Sequence, residues 1–198
     1  MDALCHAVEA FSSTQKNPLS DAYAIAAIRL IMENLEQATR HPNDKQARLA
    51  MANASLLAGS AFSNSMVGGV HAIGHAAGGL CHVAHGDAMA ILLPYVMRYN
   101  EDCLREIYGE LLLYLGGAEL YAATPKERRP REAIHVIRRL AKRLNRYCGL
   151  PLRLQDTGRV QAEDLPLIAQ AAVNDGAMIA NIKPISQKDA LKILMHAY

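Results

Sequence analysis

The chain has 198 residues, 51% of them hydrophobic and 5% aromatic, with no Trp and two Phe, so its core is built from Ala, Leu, Ile, Val and Met. That mixture favours close-packed helices over a sheet. A formal net charge of +2 argues against bulk attraction to nucleic acid or to a membrane surface, and no apolar run reaches the roughly 18 residues a bilayer span requires.

In chain order, Met1 to Phe11 reads as a helix that begins abruptly, and Asp2, His6 and Glu9 inside it argue against a signal peptide. Asn17-Pro18 is a turn, and Ser20-Asp21 can cap a second helix to about Ala38. His41-Pro42-Asn43-Asp44 breaks it, and a third helix, rich in Ala, Leu and Met, runs from Asp44 to Ser65. Gly68-Gly69 stops that helix, and a short one follows from Val70 to Ala77, closed by Gly78-Gly79. After the loop Leu80 to His85, a helix from Asp87 to Tyr99 carries Pro94, which should kink or end its first part. Glu101 to Leu115 is the next, ended by Gly116-Gly117. The polar stretch Thr124 to Arg131 reads as a loop, and Pro130 opens a helix to Cys148 with Gly149 as its C-cap. The last two helices are placed at Ala162 to Val173 and Gln187 to His196, the second started by Ser186 with Asp189 in a capping-box-like pair. No strand shows convincing alternation, so the fold class is all-α. Cys5, Cys81, Cys103 and Cys148 show no CxxC spacing and read as free thiols of a reducing cytoplasm.

Five of the eight histidines fall in two short segments. Asp2 and His6 are four apart, as are His71 and His75, so a helix places each pair on one face. His85 follows a glycine-containing loop that can fold back toward that face. A carboxylate and imidazoles from separate helices form a plausible cage for Fe²⁺ or Zn²⁺, with no thiolate to suggest an iron–sulfur cluster. Packed core histidines with hydrogen-bond partners are the competing reading.

The segments DALCHAVEAFSS, NPLSDAYA, AFSNSMVGGVHAIGHAAGG and HGDAMAILLPYVMRYN resemble the iron-containing alcohol dehydrogenases. The resemblance is dense over Asp2 to Asn100 and returns in NDGAMIANIKPISQKDALKILMHAY. It implies a helical bundle like the C-terminal domain of the dehydroquinate synthase-like and iron-containing alcohol dehydrogenase fold. It also implies Asp2, His6, His71 and His85 as metal ligands, and His75 as a catalytic or proton-relay residue close to substrate and nicotinamide. His82 matches no ligand position and reads as a loop histidine. In such enzymes the metal polarises an alcohol or aldehyde oxygen during hydride transfer to or from NAD(P). Glycerol dehydrogenases and dehydroquinate synthases share the fold, but the Asp/His/His/His pattern and HGDAMAILLP favour the alcohol dehydrogenase branch.

The family's N-terminal Rossmann-like domain has no counterpart in these residues. Gly68-Gly69 and Gly78-Gly79 lie between helices and form no G-x-G-x-x-G. The expectation is therefore one helical metal- and substrate-binding domain over 1–198, without its nucleotide-binding domain and inactive by itself. A catalytically dead helical domain that self-associates is the non-enzymatic alternative, and a homo-oligomer is expected. Asp2, in a frayed first turn, should be a weakened ligand. The basic run from Lys126 to Arg153 reads as the solvated face of an amphipathic helix whose other face buries Ile134, Ile137, Leu140, Ala141 and Leu144.

Overall fold

The computed structural model describes all residues 1–198. It contains nine α-helices joined by turns and short 3₁₀ segments, and no strand. They are α1 (Asp2–Ser12), α2 (Pro18–Arg40), α3 (Lys45–Ser63), α4 (Gly69–Cys81), α5 (His85–Asn100), α6 (Arg105–Ala123), α7 (Arg129–Cys148), α8 (Leu165–Ala172) and α9 (Gln187–Ala197). No helix is long and apolar enough to cross a membrane.

α1 lies at the centre because almost every residue it carries is small or apolar. Leu4, Cys5, Ala7, Val8, Ala10 and Phe11 are all buried. It packs against the α2–α3 hairpin on one side and against α5 and α6 on the other. The α2–α3 hairpin joins through small residues, with Ala24, Ala27, Ala54, Ala58 and Ala61 buried, so the two backbones lie close together. α4 packs on α5 and α8, and α9 closes the far side against α5 and α8. One continuous core of 47 residues runs through these helices, so a side chain on α1 is rigidly placed relative to one on α4.

Several boundaries differ from the sequence reading, each for a local reason. α2 begins two residues before Ser20, because Asn17 is the cap. Its side chain accepts from the Leu19 and Ser20 N–H groups, while Ser20 Oγ accepts from the Asn17 N–H. α4 runs through Gly78-Gly79 to Cys81, despite a glycine cost of about 1 kcal/mol each, and the helix as a whole packs on α5 and α8. His82 provides its left-handed C-cap instead, at φ 56°. Pro94 sits inside α5 without ending it. Gly117, at φ 82°, does interrupt α6, but the Ala- and Leu-containing segment beyond it turns helical again to Ala123. Pro166 lacks an N–H and suits a first turn, so α8 begins at Leu165 after a 3₁₀ turn at Ala162–Asp164.

α7 has the expected amphipathic form. Its apolar face buries Ile134, Ile137, Leu140 and Leu144, and several of its cations are already engaged. Arg139 pairs with Glu132 at 2.7 Å, Arg143 with Glu36 at 2.7 Å, and Arg129 lies over the Tyr121 ring.

One close approach positions the histidines. α4 lies close against α5 at Gly74, where an added Cβ would overlap the terminal methyl of Met89 and that flexible side-chain end would have to move. That nearness brings His71 and His75 of α4 alongside His85, the first residue of α5.

Candidate metal centre

Asp2, His6, His71 and His85 converge. Each offers one donor atom, and the four atoms lie within 4.8 Å of one another. Asp2 is the hub. Its Oδ1 stands 3.2 Å from His85 Nε2 and 3.8 Å from His71 Nε2, and its Oδ2 stands 3.6 Å from His6 Nδ1. Ligands placed tetrahedrally about 2.1 Å from a first-row cation would be about 3.4 Å apart; the Asp2 Oδ1 separations from His85 and His71 bracket that value, and the four donors, spread over as much as 4.8 Å, need only draw in slightly to share one ion.

The chemistry of the donors fits a cation as well as their spacing does. Asp2 Oδ1 and His71 Nε2 are buried and have no hydrogen-bond partner, although buried polar atoms are nearly always satisfied. Both point into the same small volume. Burial, and then the nearby His71, pull the His6 imidazole down from its usual 6.5 to about 4, with Asp2 and Glu9 opposing. His6 is thus neutral at pH 7 and keeps a free lone pair. The Cys5 thiol beneath is not a competing donor. It donates to the Met89 carbonyl at 3.2 Å, and burial pushes its pKa well up.

The rings are held by packing. His6 lies stacked between Phe62 and His71, at centroid separations of 4.4 and 4.5 Å. His71 is held from behind by Glu9, a residue outside the four ligand positions that the sequence implies. Glu9 Oε2 lies 2.5 Å from His71 Nδ1, and Glu9 Oε1 accepts the Val70 N–H at 2.7 Å. Bonding at Nδ1 leaves Nε2 as the lone-pair nitrogen aimed at the cluster. Beyond Glu9, Ser12, Asn100, Tyr108 and Asn181 help line a cavity of about 10 Å³, roughly the space of one water. The signal for Glu9 was present, since 2, 6 and 9 share a helical face and an acid among α1's apolar residues needs a partner.

His75 stands beside the four and 44% exposed, its ring stacked on His85 at 5.5 Å and edge-on to His71 at 5.7 Å. Its Nδ1 is 2.9 Å from Asp175 Oδ2. Asp175 is 100 positions away, so no spacing rule pairs them. His82 caps α4 and belongs to none of these contacts.

Comparison with known proteins identifies the family. The pattern of the Fe-containing alcohol dehydrogenase family, C-terminal part, matches residues 1–198. The 1,3-propanediol dehydrogenase of Citrobacter freundii is 41% identical over 198 residues, covering all of this chain and 49% of that protein. The NADPH-dependent butanol dehydrogenase of Clostridium saccharobutylicum is 33% identical, covering 100% of this chain and 49% of its own length. Among solved structures, a 1,3-propanediol oxidoreductase superposes with a TM-score of 0.93 at 40% identity, over 100% of this chain and 50% of that one. The chain thus spans about half the length of the curated relatives it matches. It belongs to the Fe-containing alcohol dehydrogenase family and corresponds to that family's all-helical C-terminal part.

Proposed function

We propose that this chain is the metal- and substrate-binding half of an NAD(P)-dependent alcohol dehydrogenase, working with a nucleotide-binding domain that lies outside these 198 residues. Asp2, His6, His71 and His85 hold a divalent ion, ferrous iron in the first instance and zinc as the alternative. The observation that carries this reading is the convergence of the four donors within 4.8 Å around two buried, unpartnered polar atoms, Asp2 Oδ1 and His71 Nε2.

A divalent cation at such a centre supplies Lewis acidity toward a hydroxyl or carbonyl oxygen. The chain's own residues do the rest. Three neutral imidazoles and one carboxylate leave a net positive centre that favours a developing negative oxygen. Glu9 fixes the His71 ring so that Nε2 faces the donors. His75, next to the centre and partly open to solvent, carries the hydroxyl proton outward and returns it in the reverse direction. The substrate class is a small alcohol or its aldehyde, in keeping with the family and with the relatives' names.

Elemental analysis of protein purified without chelator, followed by titration of the stripped protein with Fe²⁺ and Zn²⁺, tests the proposal. One bound ion per chain, weakened about a hundredfold or more by His71→Ala, is expected. Stoichiometric binding that survives His71→Ala and His85→Ala would overturn the site.

A further inference from the structure

Asp175 is the residue whose surroundings are least explained by a capping role. It follows α8 and opens the 3₁₀ turn Gly176–Ala180, where its Oδ1 accepts the Ala177 N–H at 2.8 Å. That bond uses one oxygen. The other, Oδ2, reaches across to α4 and meets His75 Nδ1 at 2.9 Å.

The turn itself cannot drift. At its far end Asn181 Oδ1 accepts the Gly69 N–H at 3.2 Å, and the Asn181 amide interlocks with that of Asn100 at 2.9 and 3.0 Å. The Ala180 carbonyl also accepts the Thr14 N–H at 3.1 Å. The segment from 175 to 181 therefore spans α4 like a brace, tied to Gly69 at one end and to His75 at the other. A half-exposed histidine on a helix ordinarily samples several rotamers and both neutral tautomers. Here a braced carboxylate removes that freedom.

We infer that Asp175 is a positioning residue for His75. It accepts the Nδ1 proton, so the neutral imidazole keeps its lone pair on Nε2, and it fixes the ring in its stacked place beside His85. The inference rests on the functional reading above in one respect, namely that a proton acceptor next to the four donors has a substrate hydroxyl to serve. In that transfer the O–H bond breaks, the proton joins His75 Nε2, and the imidazolium is held by the Asp175 carboxylate until the Nε2 proton leaves for solvent. The arrangement is one by which an acid partner sets the tautomer of a catalytic histidine.

The test separates capping from tautomer control. Asparagine is as good a cap as aspartate, so Asp175→Asn preserves the turn by offering its one oxygen to Ala177. It then presents an N–H₂ group to His75 Nδ1, where an acceptor stood. The measurement is long-range ¹H–¹⁵N correlation of the histidine rings in metal-free protein at about pH 8, where a free imidazole is neutral. In the parent chain His75 should be chiefly the Nδ1–H form. In Asp175→Asn it should become chiefly Nε2–H, with the melting temperature nearly unchanged. Parent His75 in the Nε2–H form, or a tautomer that Asp175→Asn leaves unaltered, would overturn the inference. Because no metal is added, failure of the metal titration would remove the proposed function without touching this result, and the reverse also holds.

Discussion

Glu9 Oε2 stands 2.5 Å from His71 Nδ1, and both side chains are almost wholly buried, at 7% and 2% exposure. A carboxylate so enclosed is costly unless its oxygens are bonded, and Glu9 satisfies both, one on the ring and one on the Val70 N–H. The ring's opposite nitrogen has no partner in the protein. The pair therefore reads as a support and a donor, with the donor end left for an ion.

Glu9→Gln should weaken metal binding by about 10- to 100-fold while leaving the fold intact. The amide oxygen can still accept from Val70, but the amide N–H₂ then faces His71 Nδ1 and favours the tautomer that blocks Nε2. Glu9→Ala should in addition cost about 2–6 kcal/mol of stability, about 1–3 for each of two buried donors left unbonded. Calorimetric zinc titration and urea unfolding of the two variants check both statements; parent-like affinity in Glu9→Gln would contradict them.

Asp2 and His71 should contribute unequally to affinity. Asp2 lies in the first turn of α1, which has no side-chain cap, and its side chain is 38% exposed. His71 is buried and braced. Asp2→Ala is expected to lower affinity about tenfold and His71→Ala about a hundredfold or more, since losing a firmly held donor should cost at least as much as losing its outer support. Equal and large losses would show that the first turn is as firm as the core.

Acid should destabilise the metal-free protein through His6. Its folded value of about 4 lies below the unfolded 6.5, chiefly because burial penalises the imidazolium and the neighbouring His71 adds to it. Between those two values the unfolded chain binds the extra proton, so stability rises with pH across the window. The contribution is complete above about 6.5 and is lost progressively as the pH falls toward 4. Urea midpoints measured from pH 7 to 4 in chelated protein should fall more steeply for the parent than for His6→Asn. Identical slopes would remove His6 as the cause.

The 198-residue chain by itself should show little NAD(P)-dependent turnover with small alcohols, with or without added iron. It contains no strand, hence no strand–turn–helix seat for a dinucleotide. Nicotinamide absorbance assays check this, and robust turnover by the purified chain would contradict it.

The sequence displayed local relationships well. Asp2 with His6, and His71 with His75, share faces because each pair is one helical turn apart, and α7's apolar stripe is visible for the same reason. What it concealed was tertiary. Gly78-Gly79 looks like a stop, yet α4 stays helical through it to Cys81 while packing on α8. Asp175 looks like a turn residue, and half of it is. Its second oxygen acquires a purpose only when α8 delivers it to α4, a meeting that no periodicity encodes. Glu9 lies between these cases. An acid on the buried side of a helix is conspicuous in the sequence, but its partner sits 62 positions away.

The missing side chain at Gly74 also leaves room. Met89's methyl occupies the place where a Cβ would stand, so the thioether seats itself directly against the helix that bears His71 and His75. A methionine end can swing aside, so Gly74→Ala would first be met by repacking of Met89, which is wholly buried, and would register as a packing penalty in the core.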